Sequence, residues 1–262
     1  MKSAVFHVES HAISHVGCVR EINEDREYAD PENGLWVVAD GMGGHDAGDF
    51  ASETIVQVLS SHIKHTSSAI TLENNFRAAI QDAHAQILAH GARLGNKIVG
   101  STLVGLLAYG NVSRCYWCGD SRAYLLRGDL LTRLTRDHTE VQRLIDSGAL
   151  TAEEAETYPH RNAITHAIGV GPTPHLEYID TEMKAGDAFL LCSDGLTAHL
   201  SDLEIGQIMM GRRSKEASQG LIDLTISRGG SDNVTVIVVQ FAKHWNAVSP
   251  LDLPLQSYLG GK

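Results

Sequence analysis

Four aspartates stand where apolar runs begin or end. Asp40 follows Leu35-Trp-Val-Val-Ala39, Asp120 follows Val112–Gly119, Asp194 follows Ala188–Cys192, and Asp232 precedes Asn233–Phe241. Glu24-Asp25 adds two more acids near the start of the chain. Carboxylates at the ends of hydrophobic strands are one way to build a metal site on a rigid scaffold. Donors of oxygen alone suit Mg²⁺ or Mn²⁺ better than zinc, which prefers His and Cys. Asp before Gly is also ordinary turn chemistry and explains any one of these residues. Four of them, with Glu24-Asp25 in addition, favour a cation.

The elements that must position these acids are legible from periodicity. Ser10–Val16 alternates as a strand, and Leu35–Ala39 and Ala188–Cys192 are short apolar runs of buried strands. Further strands are expected at Ser101–Tyr109, Val112–Gly119, Arg122–Leu126, Leu130–Leu134 and Asn233–Phe241. Ala51, Ile55, Leu59 and Ile63 recur every four residues, predicting a helix from Asp46 to about Thr66. Leu72, Phe76, Ile80, Ala83 and Ile87 predict a second helix. Two more are expected from Ser201 and over Ser214–Arg228. The polar stretch from about Asp137 to Gly171 reads as an insertion over the main body, with capping signals at Thr139 and Thr151. Strands and helices in segregated runs point to an α+β fold.

The composition bounds the function. Thirty-two acids against 21 bases give a net charge of −11, which argues against nucleic acid or an anionic membrane as the main partner. Neither a signal peptide nor a membrane-spanning run is present, so a cytoplasmic protein is expected. Cys115-Tyr-Trp-Cys118 has a C-x-x-C spacing, but on a strand residues i and i+3 face opposite ways, so the two thiols cannot chelate one metal. They are expected in the core. His7, His11 and His15 share a face, yet no cysteine or carboxylate converges with them, so they read as surface residues. His160 and His166 read as solvated residues of the insertion.

The words around the acids carry a resemblance. In order they are Arg20-Glu-Ile-Asn-Glu24-Asp25, Asp40-Gly-Met-Gly-Gly-His45, Gly100-Ser-Thr102, Gly119-Asp-Ser-Arg-Ala123, Asp137-His-Thr139, Ser193-Asp-Gly-Leu196 and Asp232-Asn-Val-Thr235. Their order and separation resemble the PP2C (PPM) family of metal-dependent serine/threonine phosphatases in its compact bacterial form, from about residue 10 to 241. The resemblance implies a four-layer α/β/β/α sandwich, two antiparallel sheets flanked by helix pairs. One phosphatase domain would span residues 1–245, with a flap at about 137–171 and a C-terminal tail at 246–262. Asp40 would bridge two Mn²⁺ or Mg²⁺ ions, the Gly41 carbonyl would help hold the first, and Asp194 and Asp232 would hold the second. Glu24 and Asp25 would order metal-bound waters. Asp120 with Asp194 would take a third ion.

The resemblance also implies the chemistry. A water shared by two divalent ions becomes hydroxide near neutral pH and would attack phosphorus in line. Arg20 would clamp the phosphate through its bidentate fork. Animal relatives carry His directly after the Asp-Gly pair. Here that residue is Met42, with His45 three residues on, so a metal-bound water is the preferred acid. The expected reaction is hydrolysis of phosphoserine and phosphothreonine in proteins, reversing a bacterial Ser/Thr kinase, by a monomer. A catalytically weak pseudophosphatase acting as a binding module is the alternative, and a metal phosphodiesterase a third reading. The presence of every ligand acid weighs against the pseudoenzyme. A cysteine phosphatase is excluded, since no Cys follows a His.

Overall fold

The computed structural model describes residues 6–44, 46–63, 68–159 and 163–243. In chain order the elements are β1 (Phe6–His15), β2 (Asp25–Asp30), β3 (Leu35–Met42), α1 (Asp46–His62) and α2 (Ala69–Arg93). Next come β4 (Gly100–Ser101), β5 (Leu103–Tyr109), β6 (Val112–Cys118), β7 (Arg122–Arg127), β8 (Leu130–Arg133), α3 (Glu140–Asp146) and α4 (Ala152–Glu156). The chain continues through β9 (Glu177–Glu182), β10 (Ala188–Cys192), α5 (Asp194–Thr197), α6 (Asp202–Met209), α7 (Ser214–Ser227) and β11 (Val234–Lys243).

Two antiparallel sheets result, one ordered β1-β11-β10-β7-β8 and the other β2-β3-β5-β6-β9, with β4 paired to β3. Helices α1 and α2 cover the second sheet, and α6 and α7 cover the first. The expected α/β/β/α layering follows from burial on both faces of the central strands. On β3, Leu35, Val37 and Ala39 pack toward the helices, while Trp36 and Val38 pack between the sheets. On β10, Leu190 and Cys192 face the other helix pair, and Phe189 and Leu191 face the sandwich interior. A strand that is buried on both faces has no polar side, hence the unbroken apolar runs. Cys115 and Cys118 obey the same alternation. One lies between the sheets and the other under the helices, so they form no chelate.

The departures from the expected elements have local causes. β2, Asp25-Arg-Glu-Tyr-Ala-Asp30, and β9, Glu177-Tyr-Ile-Asp-Thr-Glu182, are strands without an apolar run. Both are sheet edges; β9 turns its charges to solvent, which discourages pairing with another chain, while β2 buries Asp25 and pairs Arg26 with Asp49 and Glu53 of α1. The expected single strand from Ser101 divides into β4 and β5 at Thr102. The helix predicted to reach Thr66 ends at His62, and residues 64–67 lie outside those described, as does the tail. Beyond the end of β10 the chain enters a four-residue helix at Asp194, too short for periodicity to register. The stretch from 137 to 171 carries α3 and α4, closes on itself at the bridge Thr139↔Ile164 and rejoins the body at Ser101↔Ile168.

Candidate metal centre

Strand pairing gathers the acids at one end of the sandwich. Asp25 opens β2 directly opposite Asp40 near the end of β3. The end of β10 lies beside the start of β11, with Cys192 paired to Val236, which sets Asp194 close to Asp232. Arg122 at the start of β7 pairs with Cys192, and Asp120 stands two residues before it. Backbone must approach backbone closely here. A Cβ on Gly41 would lie 2.1 Å from the Gly48 carbonyl oxygen, and one on Gly195 would lie 1.9 Å from that of Asn233. Only glycine lets helix α1 and the β11 turn close on the acids.

A shell of neutral groups holds the acids in place. Thr102 N–H donates to the Asp40 carbonyl (2.8 Å), and Asp40 N–H donates to Thr102 Oγ1 (3.2 Å). Ser193 Oγ donates to Asp25 Oδ2 (2.7 Å) and accepts from Thr235 N–H (3.0 Å). Asn233 Oδ1 accepts from Glu24 N–H (2.8 Å), while its Nδ2 donates to the Val16 and Ile22 carbonyls at 2.9 and 3.0 Å. Asn233 thereby ties down the loop that carries Arg20 and Glu24. Thr102, Ser193 and Asn233 were quoted in the motif words without a role. Their adjacency to the acids is the signal that could have assigned one.

The electrostatics describe carboxylates forced together. Burial, followed by repulsion from Asp25, Asp194, Asp120 and Asp232, raises the Asp40 carboxyl well above its ordinary range. Burial raises Asp25 to about 7 and Asp120 to about 8, each with neighbouring aspartates adding to the shift. Asp194 and Glu24 move the same way, also chiefly through burial. Glu24 Oε1 and Asp25 Oδ1 are buried and accept no hydrogen bond. Orphaned buried acceptors beside mutually repelling acids match what hard divalent cations satisfy. Among the described residues, no three of these acids bring carboxylate oxygens within 4.8 Å of one another.

Arg20 sits exposed at the rim, its Nη2 donating to Asp232 Oδ2 at 2.8 Å. That ion pair raises its already high pKa further, so the guanidinium is a permanent cation. Met42 ends β3, paired with Gly100. His45 and His160 lie outside the described residues. Two other histidines are partnered as a structural role requires. His11 Nδ1 bonds Ser218 Oγ at 2.8 Å, and His15 Nδ1 accepts from Gly17 N–H at 2.9 Å. His166 is exposed, as its reading as a solvated residue expects. Its ring stacks on His175 with centroids 4.2 Å apart.

A β-sandwich with an acid cleft at one end and an arginine at its rim fits the class of metal-dependent hydrolases. The family model described as Protein phosphatase 2C matches residues 20–221, and the chain belongs to that family. It is 39% identical over 226 residues to the serine/threonine protein phosphatase PstP of Mycobacterium tuberculosis, covering 85% of this chain but only 43% of that protein. It is 35% identical to the serine/threonine phosphatase stp of Listeria welshimeri, over 86% of this chain and 92% of that one. A solved structure of the PstP catalytic domain in complex with two manganese ions superposes with a TM-score of 0.79 at 35% identity, covering 91% of this chain and all of that one. No helix among the described residues is long and apolar enough to cross a membrane.

Proposed function

We propose that this chain is a metal-dependent protein phosphatase that releases phosphate from phosphoserine and phosphothreonine. The observation that carries the proposal is the gathering of Asp25, Asp40, Asp120, Asp194 and Asp232 at one sandwich end, with two buried carboxylate oxygens lacking any donor. Asp40 and the Gly41 carbonyl would hold a first Mn²⁺ or Mg²⁺. Asp40, Asp194 and Asp232 would hold a second, and Asp120 with Asp194 a third. When bound, such ions supply a water that ionises near neutral pH and neutralise charge on the transferring phosphoryl group. Glu24 and Asp25, held by Asn233 and Ser193, orient water at the cleft. Arg20 swings from Asp232 to grip the phosphate oxygens.

In this reading residues 1–245 form one phosphatase domain, residues 137–171 are a flap bordering the cleft, and residues 246–262 are a tail. The substrates are phosphorylated proteins, including a Ser/Thr kinase and its targets, met in the cytoplasm by a monomer. The manganese-bound PstP domain and the stp relatives support the substrate class, since both are named as serine/threonine phosphatases.

Phosphate release from a phosphothreonine peptide tests the proposal. Turnover is expected with Mn²⁺ and not with excess chelator. Activity indifferent to chelator would remove the metal mechanism. Arg20→Lys is expected to raise KM for the phosphopeptide by about tenfold with little change in thermal unfolding, because lysine keeps the charge and loses the bidentate fork. A KM equal to the parent's would take Arg20 off the phosphate.

A further inference from the structure

The 137–171 segment and the start of β9 carry a second group of metal-competent side chains, chemically unlike the acid cluster. His138, His166 and His175 each offer a ring nitrogen, and these atoms all lie within 4.8 Å of one another. Among the described residues this is the one group of three His, Cys, Asp or Glu side chains that meets so tight a limit. The rings of His166 and His175 stack, and His138 meets both nearly edge-on at 5.2 and 5.1 Å. Glu177 Oε1 stands 3.4 Å from His138 Nε2 and 3.6 Å from His175 Nε2.

His138 Nε2 points to a ligand. The residue is only 8% exposed, and the one acceptor facing its buried Nε2 is Glu177 Oε1, 3.4 Å away and off the line of a good hydrogen bond. The atom thus lies among two further imidazoles and a carboxylate, the donor types that ligate a borderline metal ion. Imidazole and carboxylate together suit zinc and its neighbours, not magnesium. Burial lowers the pKa of His138 and of His166, which favours neutral rings. Thr165 Oγ1 lies 3.1 Å from His166 Nδ1, a partner that leaves Nε2 free for a ligand. His166 and His175 are exposed, so an ion can enter from solvent.

We propose that His138, His166 and His175, with Glu177 beside them, form a site for a borderline transition-metal ion such as Zn²⁺, separate from the carboxylate centre. Proton accounting sets one condition. Gly119 N–H donates to His138 Nδ1 at 3.2 Å, so the neutral ring carries its proton on Nε2. An ion on Nε2 displaces that proton to Nδ1, which turns two donors toward each other and opens the Gly119 contact. Gly119 precedes Asp120. The site therefore joins the 137–171 segment, through His166, to the strand end that carries one of the cleft acids.

The test uses the untagged full-length chain titrated with Co²⁺ in excess Mg²⁺, which occupies oxygen-only sites. Expected is one Co²⁺ per chain with the strong visible absorption of a four-coordinate, nitrogen-rich ion, abolished by competing Zn²⁺. The bands should disappear in His166→Ala and in His175→Ala, whose exposed side chains are not needed for folding, and persist in Asp40→Asn. Absence of the bands from the parent chain, their survival in either histidine variant, or their loss in Asp40→Asn would overturn the site. The Asp40→Asn arm separates this outcome from any failure of the phosphatase proposal.

Discussion

Asp40→Asn is expected to lower Mn²⁺-dependent phosphate release from a phosphothreonine peptide by at least about a thousandfold, the scale of removing a group that organises charge in a two-ion site. The expectation rests on position. Asp40 faces Asp25 across the β2–β3 pair and feels Asp194, Asp120 and Asp232 as well, so it is the acid with most neighbours in the cleft. Asparagine preserves shape and the backbone bonds with Thr102, which involve no carboxylate oxygen. The variant should therefore fold. In chelator it should unfold at a higher temperature than the parent, since a repelling charge has been deleted. A folded Asp40→Asn protein that retained a tenth of the parent's turnover would remove Asp40 from the centre of the mechanism.

The second large effect is the pH dependence of stability without divalent ions. Asp25 is raised from 3.8 to about 7 and Asp120 from 3.8 to about 8, with Asp40 and Asp194 moved the same way. A group whose folded pKa lies above its unfolded value stabilises the fold fully below the unfolded pKa, and that contribution is lost as pH rises through the folded pKa. The window here runs from about 4 to about 8. Each pKa unit is worth about 1.4 kcal/mol, so one such carboxyl costs on the order of 4 kcal/mol by pH 8. For a chain of this size that corresponds to roughly 10 °C in Tm. Tm measured in chelator should thus fall from pH 5 to pH 8, and Mn²⁺ should raise it far more at pH 8 than at pH 5. A chelated Tm that is flat or rises over this interval would contradict the clustering of ionised acids.

Some of this protein was legible because local physics and tertiary structure agree. The central strands are apolar on both faces, so their runs, and the acids that end them, stand out. The α1 and α2 stripes at four-residue spacing are equally plain, since one face of each helix packs on a sheet. β2 and β9 were hidden because neither carries an apolar run: β9 keeps its charges in water, and β2 places its own in the acid cluster and in ion pairs with α1. The six acids and Arg20 could be named one by one from their motif words.

By itself the sequence named the candidate residues of the site and determined which segments form buried layers, because side-chain type and periodicity are local properties. Tertiary structure alone decided that Asp25 lies opposite Asp40, that Asn233 anchors the loop of Glu24, and that Arg20 rests on Asp232. It alone brought together His138, His166 and His175, whose separations of 28 and 9 residues match no local spacing. Strand register and loop closure act over hundreds of residues, and convergence of charge is a property of that closure, not of any window of chain.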